Sequence, residues 1–98
     1  MRLEFHPGID RDLKSVVTYY NTESLWAADR FVAEFHAALD GIRKNPACHH
    51  FVDPERRRCN LKHFPYHLIY EVETEVVNVL VLRHHRRRPD YGMRRKMQ

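Results

Sequence analysis

Residues 66–82 read YHLIYEVETEVVNVLVL and contain two runs of apolar residues around a short polar segment. In its first half every second residue is apolar or aromatic, which is the period of a β-strand, and a turn is expected near Glu73 and Thr74. Residues 76–82 are almost continuously aliphatic apart from Asn78, a composition that suits a central strand covered on both faces. The stretch therefore predicts a strand, a turn and a second strand.

Towards the N-terminus the pattern changes from alternating to helical. A further strand is expected over residues 58–62. Residues 46–56, PACHHFVDPER, have no sustained period and contain two prolines, so they are expected to form a loop. A short strand at residues 2–6 should open the chain, because polar and apolar side chains alternate there until Pro7 and Gly8.

Two amphipathic helices are predicted between the first strand and the loop. Apolar residues recur at helical spacing over residues 9–20, with Asn21 as a stop, and again over residues 28–42. Either Thr22 or Ser24 can cap the second helix. A connection of two or three residues makes the helices pack antiparallel as a hairpin.

Charged residues lie at the start of the first helix and after the last strand. Asp10 and Asp12 lie near the positive end of the dipole of the first helix, which favours negative charge.

Residues 83–98 read RHHRRRPDYGMRRKMQ, and Pro89 and Gly92 oppose a long helix there. We therefore expect these residues to form an extended or partly ordered basic tail.

The predicted order of elements is strand, helix, helix, strand, strand, strand. A single domain is expected over residues 1–98, since a chain this short encloses only one modest core. The helical hairpin should cover one face of a small, mainly antiparallel sheet. The fold class is therefore α+β, with two layers, the topology β-α-α-β-β-β and a basic C-terminal tail.

Positive charge is concentrated in the second half of the chain. Up to Pro54 there are six Lys and Arg against eight Asp and Glu, whereas from Glu55 onward there are eleven against five. A basic end attracts nucleic acid, ribosomes or an acidic protein, although a solvated face is the plain alternative. No apolar run approaches the roughly 20 residues that cross a bilayer, and Cys48 and Cys59 are interpreted as free thiols. We expect a cytoplasmic protein without membrane contact.

The candidate site consists of cationic side chains from elements that should be neighbours. They are expected to gather on the sheet face away from the helices and on the adjoining tail, where guanidinium groups can bind phosphate oxygens. Phe64, Tyr66 and Tyr70 are instead expected to fill the core. The cations are Arg58, Lys62, Arg83, Arg86, Arg87 and Arg88.

Metal ions and nucleotide cofactors are not expected. The paired histidines at residues 49–50 and 84–85 would point to opposite faces of a strand, and His63 and His67 are separated by Pro65, so they cannot form a helical i, i+4 pair. The three glycines do not form a phosphate-binding loop. No cofactor is therefore predicted.

The order of short motifs resembles that of RelE/ParE toxins. Residues 58–72, with Phe64-Pro65-Tyr66 and then Tyr70, are similar to the "R, spacer, F-P-Y-x-I-x-Y-x-V" run of these proteins. Residues 79–89, VLVLRHHRRRP, are similar to their "V-x-x-V-x-H-x-R-R-x-P" strand and tail. The resemblance implies the growth-inhibiting toxin of a type II toxin-antitoxin, or plasmid stabilisation, module. It also implies a small acidic antitoxin that wraps the toxin in a hetero-oligomer by helix packing or strand addition.

One branch of this superfamily, the RelE type, cleaves messenger RNA on the ribosome, with the 2′-hydroxyl as nucleophile. Carried over to this chain, Arg58 and Lys62 would hold phosphate. Arg83 would stabilise the transition state, and His84 or Tyr91 would move protons. The protein would then be a ribosome-dependent endoribonuclease.

The ParE-like branch is associated with inhibition of DNA gyrase by binding, without chemistry. Under that interpretation the arginines contact a surface of the topoisomerase complex. The tail departs from the nuclease pattern, because its run of arginines is followed by Pro89 and it lacks a lysine-rich loop. These departures favour the ParE-like branch, and a non-toxic nucleic-acid-binding domain is the third hypothesis. The tail residues concerned are Arg86, Arg87 and Arg88.

Overall fold

A computed structural model of the chain describes residues 1–97. The predicted order of elements and the α+β class are confirmed. The elements are β1 (Arg2–Phe5), α1 (Gly8–Glu23), α2 (Leu25–Lys44), a short 3-10 turn (Pro46–Cys48), β2 (Arg56–Asn60), β3 (Tyr66–Glu73) and β4 (Val76–His84).

The strands form one sheet in the order β1-β4-β3-β2. β4 lies inside the sheet, where it pairs in parallel with β1 and antiparallel with β3, and β2 pairs antiparallel with β3. A bulge between Ile69 and Tyr70 shifts the register of β3 against β4. β2 begins and ends two residues earlier than predicted, so Lys62 lies outside the strand.

The helical hairpin has a single connecting residue. Ser24 caps α2, since its hydroxyl oxygen accepts a hydrogen bond from the backbone N–H of Ala27 at 3.0 Å. Thr22 instead donates to the carbonyl of Tyr19 within α1. The predicted stop at Asn21 is wrong, because α1 continues to Glu23.

The main core lies between the hairpin and the sheet. Phe31 of α2 is fully buried, and its ring packs edge-on against Phe64 and Tyr66 with ring centres 5.2 and 5.3 Å apart. Tyr70 is also fully buried and donates its hydroxyl to the carbonyl of Pro46 at 2.5 Å. The prediction that these aromatic residues are structural is confirmed.

The second face of the sheet is covered by the C-terminal residues. The prediction of an extended or partly ordered tail is wrong, because residues 85–94 form successive turns that fold back over the sheet. Gly92 has φ 77° and approaches the sheet so closely that a Cβ would lie 2.6 Å from a methyl group of Val81. Tail residues Tyr91, Met93 and Met97 pack there against Ile69, Leu80 and Val81.

The remaining expectations concern thiols and membranes. Cys48 is exposed, Cys59 is buried, and both are free thiols. Within residues 1–97, neither helix combines the length and the apolar character needed to cross a membrane.

Candidate functional site

Arg83, near the end of β4, links the sheet to the tail. Its side chain is held from two sides, since Nε donates to Nε2 of His67 at 2.8 Å and Nη1 donates to the carbonyls of Pro89 and Tyr91 at 2.7 and 3.0 Å. Only 8% of the residue is exposed. Burial lowers the pKa of Arg83, and the nearby charge of Arg58 lowers it further. Arg58 and Arg83 are therefore brought together, as predicted.

Two histidines connect Arg83 with Arg58. The rings of His67 and His85 stack with an angle of 16° between them, and their Nδ1 atoms are 2.9 Å apart. Because Nε2 of His67 accepts from Arg83, its proton must lie on Nδ1, which donates to His85. Nδ1 of His85 lies 3.2 Å from Nη2 of Arg58 and accepts there as well, so His85 carries its proton on Nε2.

His67 is neutral in this surrounding. Burial, together with the charges of Arg58 and Arg83, lowers its pKa from 6.5 to about 3. The residue is 1% exposed, and no carboxylate is among the groups that shift its pKa. His67 was not predicted to belong to the site, because an isolated polar residue in an alternating strand is typical of a solvated face.

The burial of His67 predicts a loss of stability in acid. An unfolded chain binds a proton at this ring near pH 6.5, whereas the folded chain binds it only near pH 3, so stability is full above pH 6.5 and decreases below it. When the pH is lowered from neutral to about 5, the free energy of unfolding should decrease in both proteins. The decrease should be about 2 kcal/mol smaller in His67→Gln than in the unchanged protein. Urea unfolding at the two pH values measures this difference. Equal losses in both proteins would contradict it.

A second cluster fastens the tail to α1. The carboxylate of Asp12 accepts from the backbone N–H of Leu82 at 3.1 Å, from the hydroxyl of Tyr91 at 2.7 Å and from Nη1 of Arg95 at 2.6 Å. The hydrogen bonds that Arg95 donates to Asp12 have the largest influence on the pKa of Arg95, and they raise it. Asp10 and Asp12 were both predicted to lie near the positive end of the helix dipole; Asp12 is buried, whereas Asp10 is exposed on α1.

The proposed proton-transfer residues also have structural partners. Nδ1 of His84 accepts from the backbone N–H of Arg86 at 3.0 Å, and its ring lies edge-on to Tyr66. The Tyr91 hydroxyl donates to Asp12, while the guanidinium of Arg87 lies 4.0 Å from the centre of the Tyr91 ring.

The predicted cations therefore occupy three places. Arg58 and Arg83 share the histidine cluster, and the three tail arginines project from the turns that follow β4. Lys62 lies in the exposed connection between β2 and β3, beside His63, which contacts Glu34 of α2. Within residues 1–97, the side chain of Lys62 forms no hydrogen bond or ion pair. The exposed tail arginines are Arg86, Arg87 and Arg88.

This arrangement presents fixed positive charge beside the end of β4, with exposed guanidinium groups able to bind phosphate or carboxylate oxygens. In the part of the chain that the structure describes, no three His, Cys, Asp or Glu side chains are grouped to hold a metal ion.

Comparison with known proteins agrees with this fold. A family model described as "ParE toxin of type II toxin-antitoxin system, parDE" matches residues 3–89. A solved structure described as "Chromosomal ParDE TA system from P. aeruginosa" has a similar fold, with a TM-score of 0.76 and 16% identity, covering 86% of this chain and 95% of that chain. Comparison with curated protein sequences gives no match. Because the family model spans most of its length, the chain belongs to the ParE toxin family of type II toxin-antitoxin systems.

Proposed function

We propose that this ParE-like toxin inhibits bacterial growth by binding DNA gyrase, and that it performs no chemistry of its own. The family assignment supports the toxin role. The choice of gyrase follows from the resemblance of the arginine-rich tail to the ParE-like branch. Gyrase acts in the cytoplasm, so we place the toxin there as well.

Binding is favoured over catalysis because Arg83 and Tyr91 are already engaged inside the protein. An RNA-cleaving site needs a cation free to meet the extra charge of the transition state and a group free to move a proton. Arg83 instead donates to His67 and two tail carbonyls, and the Tyr91 hydroxyl donates to buried Asp12. The tail arginines remain available to a partner.

One observation keeps ribosome-dependent messenger RNA cleavage as the alternative. His85 is exposed and carries its proton on Nε2, and its other ring nitrogen contacts Arg58. A proton donor beside a guanidinium is a pairing that a nuclease can use.

The partner of a type II toxin is an antitoxin, and the family assignment supports one here. We propose that it is a small acidic protein that covers the basic surface around the tail. Opposite charges would speed its association and would be screened by salt.

Replacing Arg86, Arg87 and Arg88 together with glutamine is expected to abolish growth inhibition on induction. It should also raise the toxin concentration needed to block supercoiling by purified gyrase at least about tenfold, because three exposed contacts are lost. The same three charges removed at Arg11, Lys14 and Arg30, which are exposed on the helices, provide the matched control. Melting temperatures of both variants should stay near that of the unchanged protein.

Two results would contradict the gyrase proposal. Unaffected supercoiling together with cleaved messenger RNA in a translation extract would establish the nuclease alternative. Unimpaired growth, with both activities absent, would leave a non-toxic nucleic-acid-binding domain.

A further inference from the structure

A cleft of about 250 Å³ lies between α1 and the turns that follow β4, and Arg83 of the histidine cluster is one of its lining residues. Its walls combine aromatic rings with hydrogen-bond donors. They include Ser15 and Tyr19 of α1, Tyr66 of β3, and His84, Arg87 and Tyr91.

The polar groups of this cleft are arranged for an acceptor. Nδ1 of His84 accepts from a backbone N–H, so its ring proton lies on Nε2. Arg87 rests on the Tyr91 ring at 4.0 Å, which holds its planar set of N–H donors in place. The carboxylate at the cleft, Asp12, is already matched by Arg95 and Tyr91. The cleft therefore suits an anion that accepts several hydrogen bonds, as phosphate does.

An exposed aromatic ring adjoins these donors. Tyr19 lies four residues after Ser15 on α1, so both side chains share one face of the helix. The residue is 54% exposed and packs edge-on against Tyr20, with ring centres 5.0 Å apart. A ring held in this way beside phosphate-binding groups is a platform on which an unpaired base can stack.

We propose that this cleft binds one nucleotide of a single-stranded nucleic acid. Arg87, His84 and Ser15 hold the phosphate, and the base stacks on Tyr19. The volume admits one such unit, and a base inside a duplex does not reach the tyrosine. Arg86 and Arg88 are exposed and adjoin Arg87 in sequence, so they would meet the neighbouring phosphates. An acidic peptide would use Arg87 but would leave the exposed ring of Tyr19 without a partner.

This site goes beyond the gyrase proposal, because it requires contact with nucleic acid itself. It is tested without gyrase, by fluorescence anisotropy of a labelled single-stranded oligonucleotide titrated with the full chain. Arg87→Gln and Tyr19→Ala should each weaken binding about tenfold, from the lost phosphate contact and the lost stacking. Tyr19→Phe keeps the ring, and Arg30→Gln removes the same charge from α2, so both should change affinity less than about twofold.

Competition experiments separate the possible ligands. Inorganic phosphate and a blunt duplex should displace the oligonucleotide only at much higher concentrations than an unlabelled single strand. Equal losses in Arg87→Gln and Arg30→Gln would overturn the proposal, because only diffuse charge would then matter. Full affinity in Tyr19→Ala, or equal competition by the duplex or by an acidic peptide, would overturn it too. Melting curves of each variant establish that the fold is retained.

Discussion

Asp12→Asn is expected to lower the free energy of unfolding by about 3–5 kcal/mol, the cost of breaking a buried ion pair by removing one partner. The side chains of Asp12 and Arg95 are only 2% and 12% exposed, so water cannot replace the lost charge around the guanidinium. Domains of this size are stabilised by only about 5–15 kcal/mol, so the loss is large. Chemical denaturation at neutral pH measures it.

Asp10→Asn provides the matched control on the same turn of α1. Asp10 pairs with Lys14 at 3.0 Å, but both side chains are more than 70% exposed. Such surface pairs contribute about 0–1 kcal/mol. If both variants unfolded at the same denaturant concentration, the buried cluster would not stabilise the tail as the structure indicates.

Arg83→Met is the second substitution with a large expected effect. It leaves Nε2 of His67 and the carbonyls of Pro89 and Tyr91 without their donor. Each unpaired buried group costs about 1–3 kcal/mol, and with water reaching part of the site we expect a total of about 2–4 kcal/mol. Amide hydrogen exchange in residues 90–97 should accelerate, because the tail loses one of its anchors.

Arg88→Met removes the same charge from an exposed position and should change stability by less than about 0.5 kcal/mol. The comparison also bears on function. If Arg83→Met abolished toxicity while stability and tail exchange stayed unchanged, Arg83 would act directly on the target, which would favour the nuclease alternative.

The elements of the fold could be predicted because each has its own local period. Helical spacing located α1 and α2, and alternation located β3. The position of Asp12 could not be predicted, because its partners Leu82, Tyr91 and Arg95 are at least 70 residues away in sequence. A local pattern contains no information on such contacts.

The sequence of β4 indicates that the second face of the sheet is covered, but not by which residues. The apolar run of β4, interrupted only by Asn78, predicted a strand covered on both faces, yet the two helices can cover only one. The segment after β4 was the remaining candidate, but its proline, glycine and arginine content indicated an exposed tail. The apolar residues that pack there are Tyr91, Met93 and Met97. They are two and four positions apart, so together they follow neither the period of a strand nor that of a helix.

The residues of the candidate site could be predicted only in part, because they too are far apart in sequence. Arg58 and Arg83 were expected to converge because adjacent strands bring them together, and they do. The role of His67 depends on stacking with His85 and on burial under the tail, which strand alternation alone does not reveal.

The pairing of β1 with β4 has a consequence for synthesis. The ribosome makes roughly 5–20 residues each second, so β1 waits several seconds for the strand that it must join. During that time the apolar stripes of α1 and α2 lack the sheet that buries them. The nascent chain can therefore complete its native structure only after its last strand has left the exit tunnel.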